Sequence, residues 1–347
     1  MFLYMQNQYR YNQLSGQWVI IAPGRSNRPG DFVKKKEPTR TTQPKDFFLE
    51  GNEKRTPPEI LAIRKESTKA NTPGWSVRVI PNKYPVFEKS KLPNKKDVKG
   101  KTTNLPAYGY HEIVITSHPK KDFGQMSLAK VSEVVHVYME RYRALTQDEK
   151  ISSIVIIQNH GPLAGASISH PHSQIFAHAH LQNTTLDLEV EKAISYHKES
   201  GRKILEDLLR KEVKEGRRII KQNNHFVVIS PYASRFPFEV MIIPKNTSSH
   251  FESLSEDEAF SYAQILQEVL AGYFKGLLNP DYNMYVRTPP IRFVSNQEKE
   301  EVTKSFLWYT SISPRLTTYG GFEYATDMII NPIAPEEATK FLKKYIK

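Results

Sequence analysis

The sequence predicts an α+β fold made of two tandem copies of one unit, and three observations support this. Short segments rich in β-branched residues predict strands, and apolar residues at helical spacing predict a long helix between them. The same order of strand and helix signals then occurs a second time within the 347 residues. A chain of this length is expected to hold two domains. We place the boundary at residue 185, giving units 1–185 and 186–347.

The first unit opens with a segment that predicts little regular structure. Residues 26–74 are rich in Pro, Lys, Asn and Thr without periodicity, so they are expected to be dominated by loops. Strands and one helix follow. Strands are predicted over 75–80, 111–116 and 154–158, the helix over 127–150, and a second, highly charged helical stretch over roughly 186–216.

The second unit repeats these signals in the same order. Residues 225–231 match 76–81, 238–244 match 111–116, 282–287 match the strand at 154–158, and 306–312 line up with 169–175. A capping box at Ser255 and Glu258 predicts the start of the helix, which runs to about residue 278. In this register His170 and His172 fall opposite Leu307 and Tyr309. Only the first unit therefore keeps these histidines.

Composition limits the classes of function. The chain has no cysteine, which excludes disulfides and thiolate metal sites. Its net charge of +12 favours anionic partners such as nucleotides and sugar phosphates, although much of that charge is expected to be solvated lysine. The apolar runs have the length of strands and the N-terminus lacks the pattern of a signal peptide. A cytoplasmic location is expected.

The segment from Asn159 to Gln174 carries the most chemistry. Side chains alternate along a strand, so His170, His172 and Gln174 are predicted to share one face. A neutral imidazole is a good nucleophile towards phosphorus at neutral pH. Gln174 is a neutral donor that suits a phosphoryl oxygen. These side chains predict chemistry on a phosphate.

The loop before this strand also fits a phosphate. Gly161 and Gly165 allow close approach of the backbone to a ligand, and Ser167 adds a hydroxyl donor. A metal site is the alternative, because His-x-His on a strand is also a metal-binding pattern and His178 and His180 follow with the same spacing. The residues by themselves leave both interpretations open.

The motif resembles the active site of a known family. The pattern Asn-x-Gly-x-x-x-Gly-x-Ser-x-x-His-Pro-His-x-Gln at 159–174 is similar to that of galactose-1-phosphate uridylyltransferases and their relatives, which include ADP-glucose phosphorylases. Residues 11–29, 51–60, 237–244 and 321–332 also resemble family segments. The resemblance implies two histidine-triad-type units, each an antiparallel sheet with helices, the second lacking the active histidines.

The resemblance also implies roles for individual residues. His172 would be the nucleophile of a nucleotidyltransferase, forming a covalent nucleotidyl-histidine in a ping-pong exchange, with Gln174 binding the α-phosphoryl group and His170 beside it. Phe322 and Glu323 would contact the sugar of the second substrate. The nucleotide-binding positions would be Arg25, Arg28, Asn82, Asn159, Gly161, Gly165 and Ser167.

The chain departs from the family where some members bind zinc. Asp46 and Leu49 stand where those members have cysteines, and the third ligand position falls near Lys120, with His118 close by. Structural zinc usually has four ligands, so we predict no zinc here. His170, a zinc ligand in such members, is then expected to be a hydrogen-bonded support for its neighbour.

A second metal site of some members also lacks its residues. Its histidines would lie at Leu307 and Tyr309, so no iron and no other cofactor is predicted. Without a metal, the loop segment must be held by packing. Phe47, Phe48 and Leu49 are predicted to do this.

The acceptor and the partners stay open at this level. Transfer to a sugar 1-phosphate is the leading prediction. The alternative is a phosphorylase that uses inorganic phosphate with ADP-glucose or a dinucleoside polyphosphate, because Thr317 and Ile329 replace a Lys and a Gln of the better known uridylyltransferases. A catalytically silent nucleotide sensor is an alternative of another class. A homodimer is implied by the resemblance, whereas nucleic-acid binding rests only on net charge.

Overall fold

The computed structural model describes residues 6–23, 46–89, 106–179, 184–245, 250–293 and 295–347. Within these ranges it contains thirteen strands and seven α-helices. The strands are β1 Gln8–Tyr11, β2 Trp18–Ile21, β3 Leu61–Arg64, β4 Trp75–Pro81, β5 Gly109–Thr116, β6 Ser153–His160, β7 His172–His178, β8 Ile219–Gln222, β9 Phe226–Ile229, β10 Val240–Pro244, β11 Tyr282–Arg287, β12 Tyr309–Pro314 and β13 Ile329–Asn331. The helices are α1 Leu128–Leu145, α2 Thr185–Ser200, α3 Ile204–Glu215, α4 Glu256–Gly276, α5 Asn296–Ser305, α6 Gly321–Thr326 and α7 Pro335–Leu342.

Ten of the strands in the described part of the chain form one antiparallel sheet. Its order is β3-β4-β5-β7-β6-β11-β12-β10-β9-β8, which is symmetric about the contact between β6 and β11. Each half holds five strands in the same relative order, so the predicted α+β fold of two repeated units is confirmed. At the centre, β6 and β11 pair with Gln158 opposite Met284. The two units therefore share one continuous sheet.

The pairing also gives Tyr309 the position that the predicted register assigns to it. Gln174 lies opposite Ile113 on one side and Ile157 on the other. Ser311 has the same place in the second half, opposite Met241 and Tyr285. Counting back two residues, Tyr309 corresponds to His172.

One face of the sheet is covered by the two long helices. Helices α1 and α4 pack on it and against each other. The buried side chains between the helices and the sheet include Tyr138 and Tyr262. Both helices begin at a serine whose side chain accepts a backbone hydrogen bond, Ser127 for α1 and Ser255 for α4. The histidine strand turns His172 and Gln174 to the opposite face, where they line a cavity.

Three features of the structure differ from the sequence prediction. The helical stretch expected over 186–216 is two helices, because Gly201 adopts φ of 71° and ends α2. The loop-dominated segment contains strand β3 on the edge of the large sheet. A small second sheet, in the order β1-β2-β13, was not predicted and joins the N-terminal residues to the end of the chain. No helix in the described ranges is long and apolar enough to cross a membrane.

Candidate active site

A cavity of about 340 Å³ opens on the free face of the first unit. Its apolar walls include Phe48, Ile80 and Ile113, which belong to one small buried cluster. The volume suits a small organic ligand held in a largely preformed cleft. The side chains with polar groups that line it are Arg55, Thr56, Asn82, Lys83, Tyr84, Ser167, His172 and Gln174.

His172 is the first residue of β7 and is held in one orientation. Only 8% of its surface is exposed. Its Nδ1 lies 2.8 Å from the carbonyl oxygen of His170. A carbonyl can only accept, so Nδ1 carries the hydrogen and Nε2 keeps its lone pair. The ring edge of Phe48 packs against this imidazole, with centroids 5.3 Å apart.

Burial sets the protonation state of this histidine. Desolvation lowers the pKa of His172 below its ordinary value of 6.5, against the raising effect of the hydrogen bond to the His170 carbonyl. The imidazole is therefore neutral at neutral pH. A neutral ring with a free Nε2 is the form that can attack phosphorus.

The cavity carries positive charge. Arg55 and Lys83 line it, and no carboxylate does so among the described residues. Neither cation was singled out from the sequence, although Arg55 lies within the family-like segment 51–60. Such a lining favours an anionic ligand over a neutral one.

Gln174 lies two residues after His172 on the same strand. Its Oε1 is 2.7 Å from Nε2 of His111, a buried side chain on the neighbouring strand β5. His111 was not singled out from the sequence either. The alternation along 111–116 could have placed it on this face, but only the strand pairing brings it to Gln174.

The loop between β6 and β7 depends on both of its glycines. Gly161 has φ of 82°, and a side chain there would overlap the carboxylate of Asp281. Gly165 has φ of 84° with open space around it, and it lines the cavity together with Ser167. Gly161 thus serves the packing of the loop, whereas Gly165 leaves room for a ligand near the backbone.

Residues of the second unit hold this loop in place. Asp281 accepts a hydrogen bond of 2.7 Å from the backbone N–H of Leu163. Asn283 donates to the carbonyl oxygen of Ala164, at 2.8 Å, and to Oδ1 of Asn159, at 2.7 Å. Both second-unit residues lie at the start of β11. The loop that shapes the first unit's cavity is therefore fixed from across the central strand pair.

Comparison with known proteins identifies the family of the chain. The family profile of the galactose-1-phosphate uridyl transferase N-terminal domain matches residues 3–182, and the profile of its C-terminal domain matches residues 189–292. The chain belongs to the galactose-1-phosphate uridylyltransferase family. The predicted family and the predicted enzyme class, nucleotidyltransferase, are confirmed.

Several members of the family resemble this chain along nearly its whole length. An ADP-glucose phosphorylase of Arabidopsis thaliana is 30% identical over 97% of this chain and 92% of its own. A galactose-1-phosphate uridylyltransferase of Thermotoga maritima is 27% identical over 97% of this chain and 98% of its own. A crystal structure of an Arabidopsis thaliana ADP-glucose phosphorylase with bound ADP-glucose is 28% identical, covers 98% of this chain and 99% of its own, and superposes with a TM-score of 0.79.

The residues at the family's zinc position do not fit zinc in this chain. His170 is 1% exposed and both its ring nitrogens have protein partners. Nδ1 lies 2.8 Å from Oδ2 of Asp46 and Nε2 lies 2.8 Å from the carbonyl oxygen of Thr116. No cluster of three or more His, Asp or Glu side chains suited to a metal occurs in the described ranges. An Asp46–His170 pair thus occupies the place of a ligand set.

Packing supports this place only in part as predicted. Phe48 is buried against His170 and His172. Phe47 and Leu49 are 45% and 41% exposed, so their predicted packing role is wrong. Phe48, between them, points into the protein. The chain forms a tight turn here, in which Asp46 accepts a hydrogen bond of 2.9 Å from the Phe48 N–H.

The second unit fills the place of the other metal with an ion pair. Tyr309, at the position that corresponds to His172, donates a hydrogen bond of 3.0 Å to Oε2 of buried Glu189. Nε of Arg287 lies 3.2 Å from the same oxygen. Leu307 is buried in an apolar cluster. A guanidinium and a phenol therefore surround this carboxylate.

The remaining predicted site residues divide into three groups. Asn82, Gly165 and Ser167 line the cavity with His172 and Gln174, as a nucleotide site requires. Asn159, Phe322 and Glu323 do not line it; Glu323 instead accepts from the backbone N–H of Gly320 at the start of α6, at 2.9 Å. Arg25 and Arg28 lie outside the described residues.

Proposed function

We propose that this enzyme transfers a nucleoside monophosphate from a nucleotide sugar to a second phosphate-bearing substrate through a covalent nucleotidyl-His172. The observation that carries the proposal is the free Nε2 of a neutral, buried His172 in a cavity whose lining, among the residues that the structure describes, has two cations and no carboxylate. Relatives of the chain are named as uridylyltransferases and as an ADP-glucose phosphorylase. Nucleotide sugars are the shared substrate class behind those names.

The first half of the reaction follows from the geometry. The Nε2 lone pair attacks the α-phosphorus, a P–N bond forms, and the bond to the β-phosphate oxygen breaks to release a sugar 1-phosphate. The ring gains positive charge in this step. The His170 carbonyl, 2.8 Å from Nδ1, stabilises that charge through the hydrogen bond.

The second half reverses these bond changes. A phosphate oxygen of the acceptor attacks phosphorus, the P–N bond breaks and the lone pair returns to Nε2. Gln174 and the Gly165–Ser167 backbone line the region in which the phosphoryl oxygens would lie. The main candidate for the acceptor is a hexose 1-phosphate.

One observation favours inorganic phosphate as a second candidate. Ile329 stands where better known uridylyltransferases carry a Gln, and it is buried in β13, paired with Val19 of β2. Its side chain cannot contact a sugar there.

Phe322 and Glu323 lie outside the cavity of their own chain, so we propose that they reach a sugar from a second copy in a homodimer.

Labelling of the protein tests the covalent step. Incubation with UDP-glucose or ADP-glucose, radiolabelled in the α-phosphate, should leave acid-labile label on the protein, and His172→Ala should remove it. His136→Ala is a matched control, because His136 lies on α1 beside Glu256 and away from the cavity. A wild-type protein that binds these donors but never becomes labelled would instead support a silent nucleotide sensor.

Two further measurements fix the acceptor and the metal content. Labelled enzyme chased with galactose 1-phosphate or with inorganic phosphate gives a nucleotide sugar in one case and a nucleoside diphosphate in the other.

We also propose that the enzyme works without zinc or iron, supported by the Asp46–His170 and Glu189–Arg287 pairs. Activity that falls on dialysis against a chelator and returns with either metal would contradict this. A cytoplasmic location stays a prediction.

A further inference from the structure

We propose that His111 is a positioning residue that holds the Gln174 side chain with its N–H groups turned towards the phosphoryl site. This inference rests on the proposed nucleotidyl transfer, because it assigns Gln174 a phosphoryl oxygen to bind. The juxtaposition that carries it is the 2.7 Å contact between His111 Nε2 and Gln174 Oε1.

His111 is fixed in space by the sheet and by an aromatic neighbour. It lies on β5 opposite Phe176 of β7. The next pair of residues on the same face of the sheet is Ile113 and Gln174. Its imidazole stacks on the Phe176 ring, with centroids 4.1 Å apart and 26° between the planes. With 6% of its surface exposed, the ring cannot turn without repacking its surroundings.

A backbone amide decides which ring nitrogen carries the hydrogen. The N–H of Val86 points at Nδ1 of His111 at 3.3 Å. A backbone N–H can only donate, so Nδ1 accepts and the hydrogen lies on Nε2. Burial lowers the pKa of His111, which keeps the ring in this neutral form. Nε2–H then donates to Gln174 Oε1.

This donation leaves one arrangement of the Gln174 amide. Its oxygen faces His111, so its NH₂ group faces the other way, and Gln174 lines the cavity. The two ends of an amide have nearly the same shape, and a flipped amide would put its oxygen against a phosphoryl oxygen. The fixed tautomer of His111 excludes that flip.

Asn82 is oriented in the same corner by a second backbone amide. The N–H of Tyr84 donates to Asn82 Oδ1 at 2.9 Å. Asn82 Nδ2 lies 3.1 Å from His111 Nε2, and in this tautomer both atoms are donors, so they make no hydrogen bond. The hydrogens of Nδ2 stay available to the cavity that Asn82 lines. Two amide donors thus face the ligand.

Two substitutions of His111 separate positioning from packing. His111→Phe keeps the ring that stacks on Phe176 but removes the donor, whereas His111→Gln keeps a donor at the distance of Nε2. We expect the single-turnover rate of His172 labelling to fall at least about 10-fold in His111→Phe. Loss of one hydrogen-bond donor to the reacting oxygen typically lowers a rate by about 100-fold or more. His111→Gln should stay within about 3-fold of wild type, and both should melt close to it.

A double substitution connects the effect to Gln174. On a Gln174→Ala background, His111→Phe should produce almost no further loss of rate, because the group that it positions is gone. A purely structural role predicts the same additional loss on both backgrounds. Equal losses on the two backgrounds, or a wild-type rate in His111→Phe, would overturn the proposal.

Two readouts do not require turnover and keep this inference apart from the proposed function. Nitrogen NMR of ¹⁵N-histidine-labelled protein should show His111 with hydrogen on Nε2, and Gln174→Ala should shift that signal. His111→Phe should weaken binding of ADP and UDP and leave binding of adenosine and uridine unchanged. Hydrogen on Nδ1, or unchanged affinity for the diphosphates, would refute the positioning role even if no nucleotide sugar reacts.

Discussion

The two nitrogens of the His172 ring have different environments, and this difference determines its chemistry. Nδ1 donates to the carbonyl of His170, and Nε2 is left without a hydrogen in the cavity. The carbonyl belongs to a residue that is itself held through Asp46 and Thr116. A displacement of His170 would therefore also displace the imidazole of His172.

The lowered pKa of His172 predicts how the reaction depends on pH. Protonation removes the Nε2 lone pair, so the labelling rate should be flat through neutral pH and decline only as the pH falls below the ordinary histidine value of 6.5. Single-turnover labelling measured at constant ionic strength checks this. An acid limb with its midpoint above 6.5 would show that burial does not control this ring.

The lowered pKa of His172 also makes the folded state less stable at acidic pH than at neutral pH. A histidine whose pKa is lowered in the folded state binds its proton more readily when the chain unfolds. Its contribution to the free energy of unfolding is present above about pH 6.5 and is lost as the pH falls through the lower folded-state value. The buried ring of His111 acts in the same direction.

At the scale of elements, the turn between β6 and β7 is the part most dependent on single residues. Gly161→Ala should lower both stability and the labelling rate, because the added carbon meets a left-handed backbone and the Asp281 carboxylate together. Gly201→Ala is a matched control with φ of 71° and open space around it.

We expect Gly201→Ala to cost about 1 kcal/mol of unfolding free energy and to leave the rate unchanged. Gly161→Ala should cost clearly more. Urea unfolding of both variants, combined with the labelling assay, gives the comparison. Equal costs at the two positions would mean that the Asp281 contact contributes nothing.

Long elements with a strong pattern were predictable from the sequence, and short ones were not. Strand β11 was predicted with its observed ends, and α1 begins one residue after the predicted start. β1, β2 and β3 have four residues each, too few for alternation to stand out. The break at Gly201 was missed because the charged residues on both sides continue a helical pattern.

Site residues that are close together in the sequence could be predicted, and those that are far apart could not. His172, Gln174 and Ser167 lie within one contiguous motif, so their grouping could be predicted. His111 comes from a strand far from that motif, and its role depends on the register of β5 with β7. Asp46 was placed at a former ligand position, but its bond to His170 became apparent only from the fold.

At the scale of the whole molecule, the second unit serves the first through the start of β11. Asn283→Ala removes donors to Ala164 and Asn159, so we expect the labelling rate to fall several-fold although Asn283 lies in the unit that does not contain His172. Gln267→Ala is a matched control, since Gln267 also donates across the units, to the Met126 carbonyl at 2.8 Å, but away from the loop.

Rates and melting temperatures of the two variants should therefore diverge. Each loses hydrogen bonds between the units, and each is expected to lose about 1 kcal/mol or somewhat more. Only Asn283→Ala should slow the reaction. A comparable decrease in rate for Gln267→Ala would indicate that general loosening of the interface, and not the loop, limits catalysis.

The hydrogen-bonded contact of β6 with β11 has a consequence for how the two halves could diverge. A single unit alone would leave one of these strands as a bare sheet edge, which other chains can bind. Two separate identical subunits could cover that edge, but dilution would part them and every substitution would change both sites at once. Joined in one polypeptide, the halves remain together at any concentration. One copy is then free to replace its histidine with Tyr309 while the other keeps His172.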